Sequence, residues 1–153
     1  VRLVGSEMCI RDRHMDYVPY DLAYYHDKLI SKCALFTSEN AGLAKAHELL
    51  PKGERSVSAM LKYFTSIGSG DSFRRMCVLD ALILNTDRHL GNFGALIDND
   101  TMSVIRMAPV FDNNRSLLFD MDDDQLKNTD WCIGTCAHEI SFIFSYFMLY
   151  CEQ

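Results

Sequence analysis

The chain has 153 residues, 48% of them hydrophobic and 24% charged, with a formal net charge of −6. That length and usage suit one globular domain or less with a real core, and they exclude a disordered or fibrous chain. The acidic balance offers no basic face for a phosphate backbone, so direct nucleic-acid binding is not expected.

Residues 1–13, Val-Arg-Leu-Val-Gly-Ser-Glu-Met-Cys-Ile-Arg-Asp-Arg, have a positive bias. They lack the long apolar core and small-residue cleavage site of an export signal. The string resembles sequencing-adapter DNA read through as coding sequence, and it is expected to be foreign to the fold. Val18 to Leu35, with β-branched and aromatic residues around Pro19, predicts one or two strands. Lys28 and Lys32 in this stretch read as solvated surface. Asn40 to Leu50, rich in Ala and Leu and closed by Pro51, predicts a short helix. Ser56 is a suitable N-cap for a helix over Val57 to Ile67 with Met60, Leu61 and Phe64 on one face. Gly68 ends it. Gly68 and Gly70 sit in Ile-Gly-Ser-Gly-Asp between two helices, which reads as a connector and not as a phosphate cradle. Asp71 or Ser72 is expected to cap the next helix. Its Phe73, Met76, Cys77, Leu79, Leu82 and Ile83 recur mostly three to four apart, and it is expected to end at Asn85.

The segment beyond that helix carries the chemistry. It reads Asn85-Thr86-Asp87-Arg88-His89-Leu90-Gly91-Asn92-Phe93 and later Pro109-Val110-Phe111-Asp112. Asp87 falls in the loop just past a buried element, and Asn92 follows five positions on, with Gly91 letting the backbone turn. Phe93 to Ile97 and Met102 to Met107 are apolar runs separated by Asp98-Asn99-Asp100-Thr101, which predicts a β-hairpin. A hairpin returns the chain to its start, so Asp112 is expected back beside Asn92, with Pro109 stopping the second strand. An Asp for a hydroxyl proton and two oxygen ligands for Mg2+ are the needs of a phosphoryl-transfer enzyme.

Asp120, Asp122, Asp123 and Asp124 read as a solvated acidic loop, since they lack the Gly and distal Glu of a calcium loop. Cys132, Cys136 and His138 lack the second pair that a zinc motif needs, apart from Cys151. Cys33 and Cys77 lie in apolar runs and read as small buried hydrophobes. Six cysteines without an export signal point to a reducing cytoplasm. Ile140 to Cys151 is apolar but well short of a membrane span, and predicts a core helix. Its abrupt end leads us to expect that the natural chain continues.

The stretch from about Tyr17 to Leu118 resembles the HipA-like serine/threonine kinases, the toxin-type bacterial kinases and their relatives. The specific part is the Asn-Thr-Asp-x-His-x-x-Asn-Phe loop with its later Pro-x-Phe-Asp. The resemblance implies an α+β, mainly helical kinase-like C-lobe, spanning residues 39–153. Residues 14–38 would be the end of an N-lobe and its hinge, from Tyr17-Val18-Pro19-Tyr20 and Ser31 to Thr37. It further implies transfer of the ATP γ-phosphoryl group to a protein Ser or Thr hydroxyl. Asp87 would be the catalytic base, with His89 shaping its loop. Arg88, Asn92 and Asp112 would meet the cofactors ATP and Mg2+, with Asn92 and Asp112 as the metal ligands. A protein substrate and an antitoxin-type protein would be the partners, with no membrane involved.

The chain departs from the family where it offers no phosphate-covering loop and no strand Lys for the nucleotide. Two other functions therefore stand beside the first. One is a phosphatidylinositol-kinase-like transfer to a lipid or small alcohol, since Asp-Arg-His-x-x-Asn also suits those enzymes. The other is a non-catalytic fragment that lacks the ATP-binding lobe.

Overall fold

Rings from two helices and from the loop before a strand meet at the centre of the fold. Phe64 stacks on Phe73 at 5.2 Å between centroids, and Phe93 lies 6.2 Å from the first and 5.8 Å from the second. The computed structural model describes residues 15–116 together with 122 and 124. The expectations for residues 1–13, most of the aspartate run, the Cys132–His138 group and the stretch from Ile140 lie outside the described residues.

The elements run β1 (Tyr20–Tyr25), β2 (Lys28–Cys33), β3 (Ala41–Lys45) and α1 (Ala46–Leu49). A 3-10 turn (Lys52–Glu54) follows, then α2 (Val57–Ser66), α3 (Gly70–Leu82), β4 (Gly94–Asp98) and β5 (Val104–Met107). Strands β1 and β2 form a two-stranded antiparallel sheet, and β3, β4 and β5 form a second sheet in that order. The fold is α+β as expected, but it is not mainly helical: among the described residues five strands stand beside three α-helices.

The main reason is β3. Asn40 to Leu50 was expected to be one helix on its Ala and Leu content, yet Ala41–Lys45 pairs with β4 from Ala41 opposite Asp98 to Lys45 opposite Gly94. A partner strand supplies hydrogen bonds that intrinsic propensity does not foresee. The Asn99 side chain fixes the register by donating to the Glu39 carbonyl at 2.9 Å. Only Ala46–Leu49 stays helical, and there the Glu48 carboxylate accepts the Lys45 N–H at 2.7 Å.

The other helices follow their pattern closely. Ser56 Oγ accepts the Ala59 N–H at 3.1 Å, the N-cap bond expected of it. Met60, Leu61 and Phe64 are buried on the inner face of α2. Gly68, at φ +73°, ends that helix in a left-handed conformation that favours glycine. Helix α3 begins at Gly70, with its cap two or three residues before the expected Asp71 or Ser72. Ser69 holds the N-cap position, but its Oγ accepts the Met107 N–H at 3.0 Å and so ties the start of α3 to the end of β5. Asp71 instead pairs with Arg74 at 2.9 Å.

Phe73, Met76, Leu79 and Ile83 pack from α3 and its C-cap against Phe64, Ala46, Phe93, Ala95, Met107 and Val110. Burying each large side chain contributes roughly 1.5–3 kcal/mol. The β4–β5 hairpin forms where the sequence predicts it. Asp98 Oδ1 accepts the Asp100 and Thr101 N–H groups and the Thr101 hydroxyl, which closes the turn and holds its carboxyl below the usual range. The β1–β2 turn has His26 and Asp27 both at positive φ, as a two-residue hairpin loop requires. Cys33 is exposed and not buried as expected, because β2 is exposed along its whole length. Among the described residues no helix is long and apolar enough to cross a membrane.

Candidate active site

Helix α3 ends in a way that aims the following loop. Leu84 adopts φ +51°, the Asn85 N–H reaches back to the Asp80 carbonyl at 2.9 Å, and the Leu84 N–H reaches Ala81 at 3.4 Å. This is a Schellman closure with leucine where glycine is usual, at a cost of about 1–2 kcal/mol. The helix thus ends at Leu82 and not at Asn85. Asn85 is buried and works with both ends of its amide. Its Nδ2 donates to Asp80 Oδ1 at 2.9 Å, and its Oδ1 accepts the Asp87 N–H at 3.1 Å.

Asp87 is therefore held by its backbone. The His89 N–H donates to its carbonyl at 2.9 Å, and Asn92 Nδ2 donates to the same oxygen at 3.0 Å. Its carboxylate is about one-third exposed and lies 3.9 Å from Arg115 Nη1. A fixed backbone with a reachable carboxylate suits a base.

His89 is exposed, and its Nδ1 accepts the Gly91 N–H at 3.0 Å, so the ring shapes the loop from inside it. Gly91 serves a different end from the one expected. A Cβ there would stand 2.9 Å from His89 Cε1, so glycine makes room for the imidazole.

Asn92 is buried, with its amide nitrogen committed to Asp87. Asp112 is half-buried and sits at φ +56°, a strained conformation that costs roughly 1–3 kcal/mol away from glycine. Its N–H donates to Tyr20 Oη at 3.3 Å. Burial first, and then Asp112 and Cys33 nearby, raise the Tyr20 hydroxyl above its ordinary pKa despite that hydrogen bond.

Arg88 joins these parts, and its role differs from the phosphate contact expected of it. Nε and Nη2 grip the Asp80 carboxylate, each at 2.9 Å. Nη1 donates to the Asn92 carbonyl at 2.7 Å and to the Phe111 carbonyl at 2.8 Å, and Nη2 also meets Asn113 Oδ1. A guanidinium has five N–H groups, and all five are used. No donor remains for a phosphate, so Arg88 is a structural clamp. Its Nη1 draws the Asp87–Asn92 loop and the Phe111–Asp112 loop onto one nitrogen.

Sequence reasoning missed Asp80, Asn85, Asn113 and Tyr20. Asp80 carried a usable signal: a carboxylate on the buried stripe of α3, beside Met76, Leu79 and Ile83, needs a buried cation. Asn85 bonds to near neighbours, Asp80 and Asp87, whereas Asn113 and Tyr20 are ordinary polar residues whose partners lie 25 and 92 positions away.

Magnesium takes one or two protein carboxylates with other oxygen donors. The Asp112 carboxylate and the Asn92 amide oxygen fit that donor set. Among the described residues no group of three or more His, Cys, Asp or Glu could hold a metal alone. Lys28 and Lys32 lie on the exposed β2 strand, Lys32 paired with Asp21 at 3.6 Å.

No family model matches the chain, and no curated protein does. Among solved structures the chain is similar to a Helicobacter pylori proinflammatory kinase, CtkA, with a TM-score of 0.69 and 23% identity. The likeness covers 88% of this chain and 54% of that one, so this chain spans about half the length of that kinase. At that identity the likeness speaks for the fold, and the fold of this chain is kinase-like.

Proposed function

We propose that this chain carries the catalytic-loop and metal-binding half of a HipA-like kinase, which transfers the ATP γ-phosphoryl group to a protein Ser or Thr hydroxyl. One observation carries the reading: a single buried guanidinium, Arg88, joins the Asp87–Asn92 loop to the Phe111–Asp112 loop on a kinase-like fold. In this reading Asp87 orients the acceptor hydroxyl and takes its proton. The Asn92 amide oxygen and the Asp112 carboxylate hold magnesium, which would offset phosphate charge. Positioning dominates the catalysis, and the strained backbone at Asp112 together with the clamp at Arg88 supplies it.

The sequence offers no recognisable phosphate-covering loop, and the lysines on β2 are exposed. The chain as given is therefore expected to bind metal but to give no measurable phosphoryl transfer. The test uses magnesium, ATP and phosphate release on this chain and on the chain extended upstream at its own locus. The extended protein should turn over. In it, Asp87→Asn and Asp112→Asn should each lower the rate by about 100-fold or more. Full activity in the extended Asp87→Asn protein would sink the base assignment. Turnover by the short chain would show that the nucleotide site lies within it.

A further inference from the structure

We infer that Tyr20 is a positioning residue for Asp112: its hydroxyl seats the Asp112 N–H and so sets where the Asp112 carboxylate points. The inference rests on the reading of Asp112 as a metal ligand and extends it to a residue on β1, 92 positions away.

Asp112 is at φ +56°, a left-handed conformation that costs a non-glycine residue energy, less for aspartate than for most, and that its surroundings help to hold. The surroundings are visible on both sides. Before it, Val110 donates its N–H to the Asp16 carbonyl and accepts from the Val18 N–H, both at 2.9 Å. Phe111 stacks on Phe36 at 5.4 Å between centroids and gives its carbonyl to Arg88 Nη1 at 2.8 Å. After it, Asn113 holds Arg88 Nη2.

These contacts fix the neighbours of Asp112 but leave rotation at Asp112 itself. Among the described residues the one hydrogen bond made by an Asp112 atom is its N–H to Tyr20 Oη, at 3.3 Å. That bond holds the N–H side of the peptide plane whose carbonyl side Arg88 holds, so Tyr20 and Arg88 together seat the plane from which the Asp112 side chain departs. Tyr20 is itself anchored, since it opens β1 opposite Cys33, three residues before Phe36. Residues 16–36 thus hold the Val110–Asp112 segment through Asp16, Val18, Tyr20 and Phe36, while Arg88 holds the Phe111 carbonyl.

Tyr20→Phe keeps the ring and removes only the hydroxyl. The probe is manganese(II) as a stand-in for magnesium, titrated into the full chain and followed by NMR line broadening of the Asn92 and Phe93 amides. Broadening by the unaltered chain is expected at those amides, and Asp112→Asn should abolish it. Tyr20→Phe should raise the manganese concentration for half-broadening by about three- to tenfold, the effect of one hydrogen bond. It should also speed hydrogen exchange at the Asp112 amide. Met60→Leu, a core change far from the loop, should lower stability without moving the manganese response. If Tyr20→Phe leaves the response unchanged while Asp112→Asn loses it, the Tyr20 inference is overturned and the metal reading survives. The inference is likewise overturned if Met60→Leu weakens the response as much as Tyr20→Phe. A response that Asp112→Asn does not change overturns the metal reading, and the role of Tyr20 with it.

Discussion

Arg88 and Asp80 face each other as a two-bond pair inside the fold, Nε to Oδ2 and Nη2 to Oδ1, each at 2.9 Å and with side chains only 10% and 9% exposed. The pair links the last turns of α3 to the loop that follows it, and the remaining guanidinium bonds extend the link to Asn92, Phe111 and Asn113. Removing one member leaves the other charge buried without its partner, which costs about 3–5 kcal/mol. Arg88→Ala and Asp80→Ala should each destabilise the chain by that amount in urea unfolding. Arg88→Lys should recover little, because an ammonium on a flexible stem cannot replace a planar fork. Retention of most of the stability in Arg88→Lys would mean that charge alone is at work there.

Leu84 is a site where a smaller residue should do no harm. It sits at φ +51° in the Schellman closure of α3, where glycine is free of the Cβ penalty. Leu84→Gly is expected to be neutral or to stabilise by up to about 1 kcal/mol, the Cβ relief exceeding the extra chain entropy. Ile83→Ala next to it empties a fully buried position and should cost about 2–5 kcal/mol. Thermal unfolding of the two variants should give opposite or clearly separated shifts. Equal losses would mean that the Leu84 side chain packs more than its backbone strains.

Gly91 and His89 should behave as a coupled pair. A Cβ at position 91 would stand 2.9 Å from the imidazole that accepts the Gly91 N–H. Gly91→Ala should therefore destabilise the unaltered chain more than it does a chain carrying His89→Ala. A coupling of about 1 kcal/mol is expected from a double-mutant cycle by urea unfolding. A cycle that closes at zero would mean that the ring moves aside without loss.

Alkaline pH should weaken the fold through Cys77. Burial, and then the Asp80 charge, push its thiol from 9.0 to about 12, with Arg88 pulling the other way. A raised pKa means that the native state keeps the proton where the unfolded chain has lost it. The contribution is fully present below about pH 9 and is lost as pH rises towards 12. Melting temperatures followed from neutral to strongly alkaline pH should fall across that window. In Cys77→Ala the fall should be shallower, with a residual slope from Tyr20 and Tyr63, whose pKa values burial also raises. Exposed Cys33 should be alkylated well before Cys77 in the native chain.

Much of this was legible along the chain because it depends on near neighbours. The Ser56 cap, the buried face of α2, the Asp98 turn and the β4–β5 hairpin each rest on residues within a few positions of one another. The same holds for the spacing of Asp87 and Asn92, whose side-chain-to-backbone bond spans five residues. Propensity erred at Ala41–Lys45 because β4, whose paired residues lie 49 (Gly94 from Lys45) to 57 (Asp98 from Ala41) positions downstream, decides what those residues become.

What the sequence determined by itself is thus the local grammar: caps, turns, the apolar stripe of α3, and the spacing of the side chains on which the proposed phosphoryl-transfer site rests. The tertiary structure alone decided who holds them. Arg88 reads as a phosphate ligand until Asp80, Asn92, Phe111 and Asn113 are seen to use all five of its N–H groups. Tyr20 and Asp112 stand 92 residues apart and meet at 3.3 Å. Hydrogen-bond capacity belongs to a residue type, but its satisfaction belongs to whichever distant groups the core brings within about 3 Å.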